Sequence, residues 1–140
     1  MSTEENKALV RRWFTALNAA ESQAIDDLFF PNFTYHLPGG QSQLEGSGPF
    51  KGFIVGFHSA FPDLYYTIED LVAEGDRVMA RWVARGTNTG SSMGLPATNK
   101  PVTITGVNIY HVAGSRFVEQ WTEFDHLGML QQMGVLPPLG

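Results

Sequence analysis

The chain has 140 residues, 43% of them apolar and 16% charged, enough to bury roughly 68–70% of its unfolded surface in one domain, residues 1–140. A formal net charge of −5 with nine Lys and Arg leaves no electrostatic footprint for nucleic acid. The absence of Cys excludes a disulfide scaffold, thiol catalysis and thiolate-bound metal. The opening "MSTEENK" is no signal peptide and no apolar run reaches membrane length, so a cytoplasmic domain with no membrane partner is expected.

Along the chain, "STEE" reads as a capping box in which Ser2 and Glu5 satisfy each other's backbone N–H groups. Val10, Trp13, Phe14 and Leu17 then follow helical spacing to about Ala20. Ser22 can cap a shorter helix carrying Ile25, Leu28 and Phe29, which stops at Pro31. "FTYHL" reads as a strand and "PGGQSQLEGSGP" as a loop. Pro49 suits the start of a third helix, with Phe50, Phe53, Ile54, Phe57 and Phe61 as its apolar stripe.

From Leu64 the period changes to two. "LYYTIEDLVA", "EGD" and "RVMARWVARGT" predict one hairpin; "VTITGVNIYHV", "AGS" and "RFVEQWTEFD" predict another. A Gly- and Pro-rich loop separates them, and "HLGMLQQM" predicts a last helix stopped by Gly134. Helices first and a four-strand meander afterwards specify an α+β fold. A curved antiparallel sheet wraps on an N-terminal helical layer and encloses a cone-shaped pocket. Trp13, Phe14, Phe53 and Phe57 should be largely buried.

No phosphate loop, nucleophile elbow or paired His at metal spacing is present, so no metal and no cofactor are expected. Acid–base chemistry in an apolar pocket is what remains. In a regular register with Val112 opposite Phe117, Asn108 faces Trp121 and Gly106 faces Glu123. Asn108, Tyr110, Glu119, Trp121, Glu123 and Asp125 then share one face. Asp125 stands where a carboxylate caps the last helix, a role weighed ahead of catalysis. His36, mid-strand between Tyr35 and Leu37, is either a hydrogen-bonded core residue or an acid–base group. His58 lies off the Phe stripe and reads as a surface residue, as does His126. Trp82 has Ala80 and Ala84 at i±2, which gives its ring room in the core or in a pocket wall.

With these elements placed, the chain resembles the SnoaL-like polyketide cyclases of the nuclear-transport-factor-two-like superfamily. The resemblance is carried by "FPDL", "ARWVARGTNTGSSMGLPATNKPVTITGVNIYHV" and "VEQWTEFDHLGMLQQMG". It implies a cofactor-free intramolecular aldol cyclisation, with a carboxylate as acid–base and a neighbouring His. By position the carboxylate falls on Thr122 and the His on Asn108, and a second His common in the family falls on Asn88. Neither Thr122 nor Asn108 exchanges protons usefully, so Asp125 or Glu123 would have to substitute, with Asn108 and His36 orienting a carbonyl. In the regular register 108 and 122 face opposite sides; a β-bulge in the last strand would bring both to the pocket. The superfamily's epoxide hydrolases use an Arg and two Asp, but Arg81 falls on the wrong face for that role.

The expected site is therefore Asp125, His36 and Asn108 for chemistry. Tyr35, Phe57, Trp82, Trp121, Thr122 and Glu123 are expected to hold an apolar oxygenated small molecule. Cyclisation, isomerisation or hydration is the leading reading; a non-catalytic binding protein or a dimerisation module is the alternative. Two semi-apolar sheet faces and one helical layer also imply a homodimer.

Overall fold

The computed structural model describes residues 2–138. Helix α1 (Thr3–Asn18) starts on the expected capping box. Ser2 Oγ accepts the Glu5 N–H, and Glu5 Oε1 accepts the Ser2 N–H, each at 3.1 Å. Its buried stripe of Leu9, Val10, Trp13, Phe14 and Leu17 lies on the sheet. Helix α2 (Ala24–Leu28) is a short turn with Gln23 at its N-cap and no side-chain cap, so Ser22 does not play that part. Helix α3 spans Ser47–Ala60 and α4 spans His126–Met133. Gly134 closes α4 in the left-handed region, at φ 80°, where a side chain would be strained.

Among the described residues the sheet has six strands. They are β1 (Phe29–His36), β2 (Gln43–Glu45), β3 (Tyr65–Glu74), β4 (Arg77–Thr87), β5 (Pro101–Ala113) and β6 (Arg116–Phe124). Their order across the sheet is β2-β1-β6-β5-β4-β3. The expected meander β3–β6 is antiparallel throughout. The helical segments also return β1 to the far side, where it pairs in parallel with β6, and β2 adds a short antiparallel edge from the segment read as a loop. The result is a curved, open, mixed sheet with the helices against its concave face.

The register contains the feature that decides the site. Val112 does face Phe117, but the next pair is His111 with Glu119, so Val118 is an extra residue in β6. Beyond this bulge every β6 side chain is displaced by one position, and Asn108 pairs with Thr122 while Ile109 pairs with Trp121. The regular register expected from the sequence is thereby corrected: a single unpaired residue inverts the facing of the rest of the strand. Gln120, Thr122 and Phe124 turn inward; Glu119, Trp121 and Glu123 turn outward.

Aromatic rings fill the deep end of the cone. Phe29 touches Trp13, Phe33, Phe50 and Phe117, with centroids 4.7–5.1 Å apart. Trp13 and Phe14 are buried as expected, whereas Phe53 and Phe57 are only half-buried. They face a cavity instead of close-packed core. The loop after β4 is held by Asn88, fully buried, whose Nδ2 donates to the Ala60 and Gly90 carbonyls. Its Oδ1 accepts both the backbone N–H and the hydroxyl of Thr98. Asn88 therefore pins this loop to the end of α3.

Candidate functional site

A cavity of about 40 Å³ lies between α1, α3 and the concave sheet face. Its walls are apolar: Trp13 and Leu17 from α1, Phe53, Ile54 and Phe57 from α3, and Trp82, Ile104 and Phe124 from the sheet. One patch is polar. Asn108, Gln120 and Thr122 line it, all nine-tenths or more buried. They form a chain of bonds in which Gln120 Nε2 donates to Thr122 Oγ1, Thr122 Oγ1 donates to Asn108 Oδ1, and Asn108 Nδ2 donates to Tyr110 Oη, each at 2.9 Å. Tyr35 lines the cavity as well, and the Thr122 hydroxyl exerts a hydrogen-bonding influence on its phenol. The bulge in β6 brings this group together, because it puts residues 120 and 122 beside 108 and 110 on the same face.

Burial pushes the Tyr35 phenol up to about 12; the Thr122 bond works against that rise, and the Glu123 charge adds to it. Tyr66 and Tyr110 are pushed higher still, by burial above all. These phenols therefore act as neutral hydrogen-bonding groups. Among the described residues, no Asp or Glu lines the cavity. Nor does any group of three or more His, Cys, Asp or Glu among them have an arrangement that could hold a metal ion.

Four buried side-chain polar atoms among the described residues have no hydrogen-bond partner: Asn6 Oδ1, His58 Nε2, Trp82 Nε1 and Gln120 Oε1. The last three belong to residues lining this one cavity. Buried polar atoms are rarely left unpaired, so three of them in the walls of one cavity single it out.

Of the residues expected from the sequence, Tyr35, Phe57, Trp82, Asn108 and Thr122 meet in the cavity. Four do not. Asp125 Oδ1 accepts the Gly128 N–H at 2.9 Å and caps α4 from an exposed position. Glu123 is exposed and accepts the Gly39 N–H at 3.0 and 3.2 Å. Trp121 and His36 lie on the convex face, stacked at 4.9 Å with a 5° interplanar angle. There His36 Nε2 meets Glu119 Oε2 at 2.5 Å, and the Arg77 guanidinium covers Trp121 at 5.2 Å. The physical reason for Trp121 and Glu123 is the bulge. His36 follows from alternation along β1, where Tyr35 takes the inward position. Arg81 also faces outward, paired with Asp70 at 2.6 Å.

The sequence reading missed Gln120 and His58. Gln120 was assigned to the wrong face by the regular register. His58 was set aside because it is not on the Phe stripe, yet it follows Ile54 by four residues and Phe50 by eight, the spacing of one helix face. It lines the cavity and, with Trp13, Leu17 and Ile54, separates it from an adjoining cleft of about 390 Å³ between α1 and α3.

The same arrangement of elements occurs in known proteins. A candidate hydroxylase from Streptomyces galilaeus, AclR, is 26% identical with a TM-score of 0.88, covering 99% of this chain and 87% of its own. IdmH from Streptomyces antibioticus, a candidate polyketide cyclase, is 31% identical with a TM-score of 0.81, covering 92% and 98%. A candidate polyketide cyclase from Acidithiobacillus ferrooxidans is 26% identical with a TM-score of 0.79, covering 96% and 99%. No curated protein sequence gives a significant match. The model of one family, described as SnoaL-like polyketide cyclase, matches residues 7–133. From first helix to last, the chain belongs to the SnoaL-like polyketide cyclase family.

Proposed function

We propose that the protein is a cofactor-free enzyme of the cyclase type, which folds an apolar oxygenated small molecule into the cavity and closes a ring within it. Family membership and the cyclase-like neighbours support the reaction class. The observation that carries the site is the buried Asn108–Thr122–Gln120 chain, set in aromatic walls beside unpaired Gln120 Oε1 and Trp82 Nε1. The indole N–H donates, so it suits a ligand carbonyl and any charge that develops on its oxygen, whereas the amide oxygen accepts and suits a ligand hydroxyl. The cavity of about 40 Å³ is far below the roughly 300–1,000 Å³ of small-molecule sites, so a ligand needs more room than it offers. The adjoining cleft of about 390 Å³ shares Trp13, Leu17, Ile54 and His58 with it.

A second reading is a binding protein that uses the same cavity without chemistry. It is favoured by one observation: no carboxylate lines the cavity among the described residues, and Thr122 stands at the position where the family resemblance places one. Native mass spectrometry of the purified protein, followed by incubation with any small molecule that copurifies or with linear polyketide esters, separates the two. Ring-closed product supports the enzyme. Retention of the compound unchanged supports the binder, and failure of Asn108→Ala and Thr122→Val to weaken retention would remove the cavity from both readings.

A further inference from the structure

Among the described residues, His58 is the one imidazole that lines the cavity, and its two nitrogens are in different situations. Nδ1 lies 3.2 Å from the Ile54 carbonyl oxygen, one helical turn back. A carbonyl only accepts, so Nδ1 carries the hydrogen, and in the neutral ring Nε2 is left with a free lone pair. That atom is buried and has no partner. Buried polar atoms are seldom left without a partner. Here the helix holds the ring in the tautomer of a proton acceptor and leaves the accepting atom unengaged.

We propose that His58 is the proton-accepting residue of this site, taking the place of the carboxylate that the cavity lacks. The inference rests on the reading that the cavity receives a ligand. Its substrate class is an apolar molecule carrying a carbonyl and, beside it, an acidic C–H or O–H. For a C–H substrate, Nε2 takes the proton as the C–H bond breaks and the electron pair stays on the ligand as an enolate. The enolate oxygen is met by a donor such as the unpaired Trp82 Nε1–H, and the Ile54 carbonyl supports the imidazolium through Nδ1–H. The enolate carbon then bonds to a second carbonyl carbon of the same molecule, and the resulting alkoxide recovers the proton from Nε2. Atoms and electrons balance as an isomerisation, with neither water nor an oxidant consumed.

The test uses long-range ¹H–¹⁵N correlation of the imidazoles in the full-length protein, with His58 assigned by its loss in His58→Gln. Two probes are compared, 2-naphthol, which offers an O–H, and naphthalene, which does not. The expected result is the Nδ1–H tautomer in the free protein and an Nε2 resonance that moves towards its protonated position with 2-naphthol alone. Both probes should shift the side-chain amides of Asn108 and Gln120. His58→Phe should bind 2-naphthol about tenfold more weakly and naphthalene equally well. An Nε2–H tautomer, or amide shifts with 2-naphthol that leave His58 unmoved, overturns the role of His58 and leaves the ligand cavity standing. Silence from Asn108, Gln120 and His58 with both probes overturns the ligand cavity itself, and this inference with it. If His58→Phe does not fold, the wild-type tautomer and the 2-naphthol shift still decide.

Discussion

The Asp125 carboxylate meets the Gly128 N–H where α4 begins, so Asp125→Ala should cost about 0.5–2 kcal/mol and Asp125→Asn much less. Denaturant midpoints of the two variants check this, and equal losses would deny the cap. Gly106 is a second position where one atom matters. A Cβ there would stand 2.3 Å from Cζ2 of the Trp82 ring, which lies across the glycine on the neighbouring strand. Gly106→Ala should destabilise by about 1–3 kcal/mol and displace the indole from the cavity wall, seen as a change in tryptophan fluorescence. The Asp before an apolar helix announced its cap, whereas the close approach at Gly106 shows only once β4 lies beside β5 and Trp82 faces the glycine.

Strands β5 and β6 carry the polar chain as a cross-strand pair, and its links depend on one hydroxyl. Thr122→Val should leave Asn108 Oδ1 and Gln120 Nε2 unpaired and cost about 1–3 kcal/mol, whereas Thr122→Ser should recover most of it. Comparing denaturation midpoints of the two decides the point. The hairpins, the capping box and the helix stripes were legible because their signals are local: period, turn residues and caps. A bulge in the last strand was legible only through the family resemblance, which needs 108 and 122 on one face; its place at Val118 was not, since an unpaired residue leaves no mark in composition and shows only against its partner strand. That one gap moved Trp121 and Glu123 into the expected site and kept Gln120 out of it. The parallel pairing of β1 with β6 was hidden for a related reason, because its partners are more than eighty residues apart.

At the scale of the molecule, burial of three phenols in one core ties stability to pH. An unfolded tyrosine ionises as pH passes its ordinary 10.0, while Tyr35 keeps its proton to about 12. The native state holds more protons in that interval, so stability should be intact below about 10 and fall as pH rises through about 12. Denaturant titrations across the interval check this, and Tyr35→Phe should flatten the slope. The convex face sets a second expectation. Ile109 and Val72 are exposed there, 41% and 55%, on the face that carries the His36–Trp121–Arg77 stack, and no element among the described residues covers them. We expect a homodimer through this face, monomeric in Ile109→Glu, with sedimentation as the measurement. A chain that sediments as a monomer at micromolar concentration removes the expectation.

The extra residue in β6 also governs how knowledge can be carried from one relative to another. Inward positions are odd-numbered at Phe117 and even-numbered from Gln120 onward. A relative that lacks the extra residue keeps the same inward side chains only if its alignment opens a gap at 118. An ungapped comparison across that point equates a cavity residue with a surface one, at every later position of the strand. Comparative assignments in such proteins should therefore count strand faces, and treat identity of column number as secondary.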